Sequence, residues 1–182
     1  MKKNIVIGVC GSIAVYKVPE TIRCLMDRGW NVRVVMTAEA QKFMTPLIFE
    51  TLSGNRVSTD MFVREEWEIA HISLADFASL VLVVPATALI IGKAANGMCD
   101  DLLSCMLVAA ACPVVYAPAM NDRMWRHPAV RKNVETLKKY GCVFIGPEKG
   151  RLACGAEGVG RLAETAAIID GVEREAKNGK KL

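Results

Sequence analysis

The sequence predicts an α/β domain, a three-layer α/β/α sandwich built on a Rossmann-like parallel sheet of about six strands. Three observations carry this. Short apolar runs rich in β-branched residues recur along the chain, among them NIVIGV, NVRVVM and LVLVV. Stretches of helical periodicity separate them. Glycines at 29, 97 and 141 punctuate the ends of those stretches. Unbroken apolar strands that alternate with helices belong to a parallel sheet covered on both faces.

Asn4 to Val9 is the first strand. Gly11-Ser12 turns the chain into an amphipathic helix that runs to Asp27 and stops at Gly29. Asn31 to Met36 is the second strand, ending at Thr37. This order is the crossover that a parallel pair requires. Residues 45–75 read as a helix around Leu47 to Leu52, a short strand near Met61 and a loop at His71. Leu80 to Val84 is a strand closed by Pro85, and Ala88 to Asn96 a helix stopped by Gly97. Asp100-Asp101 opens a helix through Ala111, with carboxylates at its positive end. Pro113 to Ala117 is a strand, Pro128 to Tyr140 a helix ended by Gly141, Cys142 to Ile145 a strand, and Glu164 to Lys177 the last helix. Residues 1–175 make the folded domain and residues 176–182 a basic tail or linker.

Composition narrows the class. Of the 182 residues, 52% are hydrophobic and 23% charged, so the chain buries enough apolar surface to offset its entropy and is not disordered. The net charge is +4, with Arg174, Lys177, Lys180 and Lys181 crowded at the end. The body is near neutral and lacks the basic stripe that nucleic acid needs. Leu102 to Asn121 is a charge-free run of 20 residues, close to a membrane span in length. Pro113 and Pro118 interrupt it, so a helix, a break and a buried strand are expected and no membrane segment. The first residues mimic a leader peptide, but Gly8, Gly11, Lys17 and Glu20 fit a strand turning into a helix. The seven cysteines contain no C-x-x-C pair and only His71 and His127 accompany them. Neither a metal site nor a disulfide framework is expected, and the reading is a reduced, cytoplasmic protein.

Ligands bind such sheets at the carboxyl ends of the strands. The segments just after strands are 10–14, 37–39, 85–90, 118–125 and 147–161, and each holds residues unusual for its place. Gly11-Ser12-Ile13 combines a tight turn, a hydroxyl and a helix N-terminus, which suits a phosphate; an ordinary turn and N-cap would use the same residues. It is neither G-x-G-x-x-G nor a P-loop. Thr37 stands where a dinucleotide enzyme often carries Asp or Glu, which argues against NAD; an N-cap is its other reading. His71 suits either acid–base chemistry or a packed position, and His127 before Pro128 reads as structural. Asn121 offers donor and acceptor to a ligand, although Met120, Met124 and Trp125 around it also suit an apolar turn under the core. Cys154 lies in an exposed, mobile Gly-rich loop, where a thiol suits an acid or nucleophile; the alternative is an incidental cysteine in a hinge.

The motifs GSIAVYK (11–17), HI-x-L (71–74), PATA (85–88), GK-x-A-x-G (92–97), DDLL (100–103), PAMN-x-x-MW (118–125) and ACG (153–155) occur in this order. On them, over residues 3–170, the chain resembles the flavin-containing cysteine decarboxylases, and among these the decarboxylases of coenzyme A biosynthesis. The resemblance implies FMN bound at contacts between subunits of a trimer, by Gly11, Ser12, Ile13, Thr37 and the segment Thr87, Ala88, Leu89, Ile90. It implies catalytic roles for His71, for Asn121, which would hold the substrate carboxylate with Met124 beside it, and for Cys154, proton donor of the final reduction. The implied substrate is 4′-phosphopantothenoylcysteine and the product 4′-phosphopantetheine. The implied assembly is a homotrimer or a dodecamer of four trimers. The implied partner is a phosphopantothenate–cysteine ligase, fused or separate.

Decarboxylating a cysteine leaves a carbanion with no electron sink. Oxidation of the side-chain carbon next to sulfur supplies one, because the resulting C=S accepts the electron pair of the breaking bond. Reduction of the ene-thiol, with a proton from Cys154, then gives the saturated thiol. The cofactor carries the electrons, while the protein orients substrate and supplies acid. Two positions depart from the family pattern. Leu89 replaces the usual Asn or Asp after PATA and removes a polar contact to the flavin; Ser79 replaces an acidic residue and bears only on packing. Peptidyl-cysteine decarboxylases of lantibiotic maturation stop at the ene-thiol and lack the ACG cysteine, so Cys154 favours the coenzyme A reading. Flavin prenyltransferases share the fold but are not expected to carry PAMN-x-x-MW. Non-catalytic phosphatase-inhibitory homologues are disfavoured, since no long acidic tail is present.

Overall fold

The computed structural model describes residues 3–62 and 69–178. Five strands form one parallel sheet in the order β2-β1-β3-β4-β5: β1 (Asn4–Val9), β2 (Asn31–Met36), β3 (Leu80–Ala86), β4 (Val114–Pro118) and β5 (Val143–Phe144). The register of β1 on β2 runs from Asn4↔Asn31 to Val9↔Met36. On its other side β1 pairs with β3, Ile5 against Leu80. Connections leave β1 first to one side and then to the other. A crevice therefore opens between the carboxyl ends of β1 and β3, the switch point where ligands bind such sheets.

Successive side chains of a strand point to opposite faces, and β1 divides its residues accordingly. Ile5, Ile7 and Val9 pack with Ile22 and Leu25 of α1 (Val18–Asp27), Phe49 of α2 (Pro46–Ser53), and Ile168 and Val172 of α8 (Thr165–Asn178). Val6 and Cys10 pack instead with Leu74 of α3 (Ala70–Phe77), Ile91 of α4 (Ala88–Ala95), Leu103 and Met106 of α5 (Leu102–Ala109), and Leu137 of α7 (Pro128–Lys139). These are the three expected layers. Every residue of β3 is buried, and each large aliphatic there contributes about 1.5–3 kcal/mol. Ser79 donates to Asn4 O at 2.7 Å and accepts from Asn4 N at 3.1 Å, so this departure from the family pattern ties β3 to the start of β1.

The structure corrects several expectations. The parallel sheet has five strands, not six. Two further strands, β6 (Glu148–Arg151) and β7 (Glu157–Arg161), pair antiparallel as a separate hairpin. The Gly-rich segment expected to be a mobile loop thus folds back on itself, with Gly150 opposite Gly158. A 3₁₀ turn, Ile13–Lys17, precedes α1, because Pro19 sits in the first turn and the helix proper begins beside it. No strand forms at Met61; the nearest pairing is a single parallel bridge between Ser58 and Val35. His71 lies in α3, not in a loop. That helix has no side-chain N-cap and no start signal to read, and is held by the burial of Leu74 and Ala75. β3 continues through Pro85 to Ala86, where its register on β4 shifts. α8 extends to Asn178, and residues 179–182 of the expected tail lie outside the described residues. Among the described residues no helix is long and apolar enough to cross a membrane.

Candidate active site

All five segments expected at the strand ends converge on two adjoining cavities. The first, of about 260 Å³, lies at the β1/β3 switch point and is lined by Cys10, Gly11, Ser12, Thr37, Thr87, Ala88, Leu89 and Ile90, with Met120 and Met124 across from them. Gly11 is required by close approach: a Cβ there would stand 2.4 Å from the Glu39 Cβ. Ser12 caps the 3₁₀ turn, its hydroxyl 3.4 Å from Ala14 N. Thr87 caps α4, its hydroxyl accepting from Ile90 N at 3.4 Å. Thr37 accepts from Ala40 N at 3.3 Å; it caps the next turn and also lines the cleft, so its two readings hold together. Hydroxyls beside helix N-termini suit an anion, and Cys10, Ile90 and Ala119 offer an apolar floor for a flat ring. The residues present fit a flavin phosphate and ring. Burial pushes the Cys10 thiol up to about 12, so it stays protonated as part of that floor.

Three charged residues of the cleft escaped the sequence reading. Lys93 reaches it from α4, and Asp101 and Glu39 line it as well. Lys93 Nζ donates to Asp100 at 2.8 Å and to Asp101. Burial alone would lower the Lys93 pKa, but these hydrogen bonds outweigh it and hold the ammonium above its usual range. Asp101 also closes a capping box, accepting from Ser104 N at 2.8 Å while Ser104 accepts from Asp101 N at 3.1 Å. The signal was present in the GK and DDLL motifs, eight residues apart, but nothing local showed that α4 and α5 bring them together.

The second cavity, of about 650 Å³, is lined by Asn121 and Cys154 together with Ser12, Ile13, Tyr16 and Met120. Asn121 is the N-cap of α6 (Asp122–Arg126). Its Oδ1 accepts from Arg123 N at 2.9 Å, which commits the acceptor and turns the Nδ2 donor toward Cys154 Sγ, 3.8 Å away. Cys154 is exposed on the turn that joins β6 to β7. The hairpin is fastened to the Asn121 loop. Met120 N donates to Gly160 O at 3.0 Å, and Val159 N donates to Asp122 Oδ1 at 2.8 Å. Only glycine fits at 160, where a Cβ would lie 2.1 Å from Met120 O. The Val159 N–H, and then Arg126, hold the Asp122 carboxyl below its usual range.

The remaining candidates are dispersed. Met124 lines the first cavity and not the second. His127 caps α7, its Nδ1 accepting from Ala129 N at 3.2 Å, in line with its structural reading. His71 is half-buried on α3 and lines neither cavity. Leu89 lines the first cavity, whereas Ile13, expected beside it, lines the second; each is 56% exposed, a large apolar load for residues facing water.

Comparison with known proteins agrees with this geometry. Residues 1–177 match the family model described as Flavoprotein. Over 173 residues the chain is 46% identical to the coenzyme A biosynthesis bifunctional protein CoaBC of Bacillus subtilis, covering 94% of this chain and 43% of the relative. Over 169 residues it is 44% identical to the CoaBC protein of Escherichia coli, covering 92% and 42%. The chain thus spans less than half the length of these curated relatives. Among solved structures, a Cys-to-Ser variant of PPC decarboxylase complexed with pantothenoylaminoethenethiol superposes with a TM-score of 0.84 at 29% identity, covering 96% of this chain and 98% of the other. The FMN-dependent cysteine decarboxylase SpaF gives a TM-score of 0.78 at 33% identity, covering 93% and 97%.

Proposed function

The chain belongs to the flavoprotein family, and from this premise we propose that it catalyses the FMN-dependent decarboxylation of 4′-phosphopantothenoylcysteine to 4′-phosphopantetheine, a carbon–carbon lyase reaction of coenzyme A biosynthesis. One observation carries the reading: an amide donor held by its helix cap, Asn121, meets a thiol, Cys154, over a cavity that adjoins the cleft lined by Ser12, Thr37 and Thr87.

The residues that would hold FMN are Gly11, Ser12, Ile13, Thr37, Thr87, Ala88, Leu89 and Ile90. When bound, FMN supplies reversible oxidation of the substrate carbon next to sulfur. The rest falls to the chain's own groups. Asn121 Nδ2 donates to the substrate carboxylate. A neutral donor orients that group without the strong ground-state stabilisation of an ion pair, which would oppose its loss as CO₂. The apolar neighbours Met120 and Leu152 keep water from the developing negative charge. Cys154, exposed on its turn, donates the final proton and is reprotonated from solvent.

His71 enters from a second copy of the chain. It lines neither cavity of its own subunit, and the exposed Ile13, Leu89, Ile69 and Ile72 supply apolar surface for a neighbour to cover. The working unit is a homotrimer, alone or as four trimers in a dodecamer, with FMN between subunits. The curated relatives are bifunctional proteins more than twice this chain's length, which supports a phosphopantothenate–cysteine ligase as partner, fused or separate. The setting is the cytoplasm, with residues 1–175 as the catalytic unit; α8 continues that unit to Asn178, so a linker would begin beyond the helix and not at 176.

The test is direct. The purified protein is expected to show the visible absorption of oxidised FMN and to convert 4′-phosphopantothenoylcysteine to 4′-phosphopantetheine with no added NAD. A protein that stays colourless after FMN addition, or a coloured one that leaves the substrate intact, defeats the proposal.

A further inference from the structure

The second cavity is lined by three cations, Lys17, Arg151 and Arg161, and by no carboxylate. Two of the three are already compensated by acids outside the lining. Arg161 donates to Glu148 at 2.7 Å and to Glu164 at 2.8 Å, and Lys17 Nζ lies 3.9 Å from Glu164. Arg151 differs. It is exposed at the end of β6 and makes no ion pair among the described residues. It stands on the same hairpin as Cys154, at the start of the connection to β7. Leu152 and Leu162 supply apolar lining in the same cavity.

We propose that Arg151 determines substrate specificity by anchoring a phosphate monoester at the end of the acyl-cysteine substrate remote from its carboxylate. The proposal rests on the decarboxylase reading above and adds a second point of attachment to it. A guanidinium offers a planar fork of donors that matches a phosphate with two parallel hydrogen bonds. Arg161 would have to give up two carboxylates to do this, so its gain would be offset; Arg151, opposite Glu157 in the β6–β7 register, has no ion pair to break among the described residues. The absence of acids from the lining removes like-charge repulsion against a dianion. With Asn121 on the carboxylate and Arg151 on the phosphate, the two anionic ends of the substrate are held apart and the apolar middle lies over the leucines. A peptide ending in cysteine has no group for Arg151.

The experiment compares 4′-phosphopantothenoylcysteine with pantothenoylcysteine, its counterpart lacking the phosphate, in FMN-loaded wild type, Arg151→Gln and Arg151→Lys. Wild type is expected to prefer the phosphorylated substrate in kcat/KM. Arg151→Gln loses about 10- to 100-fold of that preference, chiefly through a higher KM, and Arg151→Lys restores part of it. A merely structural role for Arg151 would lower both substrates equally and leave the preference intact. An unchanged preference in Arg151→Gln, or equal use of both substrates by wild type, overturns the anchor and leaves the decarboxylase reading standing. Turnover of neither substrate by wild type overturns both.

Discussion

Asn121 Nδ2 and Cys154 Sγ stand 3.8 Å apart although 33 residues separate them in the chain. The pair is made by two independent devices. The α6 N-cap sets the Asn121 amide, and the contacts of Gly160 with Met120 and of Val159 with Asp122 press the hairpin against the same loop.

Asn121→Asp separates capping from catalysis. Asp caps a helix as well as Asn does, so thermal unfolding is expected to shift by no more than about 1 kcal/mol. The donor is lost and a charge faces the substrate carboxylate, so turnover is expected to fall about 100-fold or more. Near-normal turnover would remove Asn121 from the site.

Cys154→Ser puts a far weaker acid on the same turn. CO₂ release is expected about once per site, after which the ene-thiol accumulates. Mass spectrometry of the product checks this: a species two hydrogens short of 4′-phosphopantetheine supports the donor role, and saturated product at the wild-type rate refutes it.

His71→Asn and Asn121→Asp are each expected to be inactive alone. Dissociating and reassembling a mixture of the two would place an intact His71 beside an intact Asn121 at some subunit contacts. Recovery of part of the wild-type activity is expected; none would contradict an intersubunit site, as would an active monomer in light scattering.

Leu89→Asn returns a polar group to the flavin cleft. Leu89 is half exposed in the first turn of α4, so the substitution costs no core packing. The FMN Kd, followed by flavin fluorescence, is expected to tighten about 3- to 10-fold, the worth of one hydrogen bond.

Asp122 couples the hairpin to pH. Its folded carboxyl is held below the ordinary value of 3.8, so the charged form is the one favoured by folding. The contribution is complete above the ordinary value and is lost as pH falls through the lower, folded one. The Val159 amide resonance is expected to titrate below 3.8, with no change near neutrality, and Asp122→Asn is expected to abolish that titration.

The alternation of strands and helices was legible because it rests on side chains two, three or four positions apart. The β1 pattern of Ile5, Ile7 and Val9 and the α1 pattern of Val18, Ile22 and Leu25 declare their period within a dozen residues. Asn121 and Cys154 stood out for a similar reason: polar or reactive groups just after apolar strands invite a ligand. α3 was missed because it lacks a cap and is short, and the β6–β7 pairing because glycines on both arms read as loop rather than strand.

The sequence by itself determined the class of fold, the order of its elements and the residue types available at the strand ends. Only the tertiary structure decided that β3 lies beside β1, so that Ser12 and Thr87 line one cleft. It alone decided that Lys93 is spent on Asp100 and Asp101, that Arg151 makes no ion pair among the described residues, and that His71 is absent from the cavity that Asn121 lines. Local periodicity comes from neighbours along the chain. Each of these outcomes depends on which distant backbones approach closely enough to pack, as at Gly160, where there is room for a hydrogen atom against Met120 but not for a Cβ.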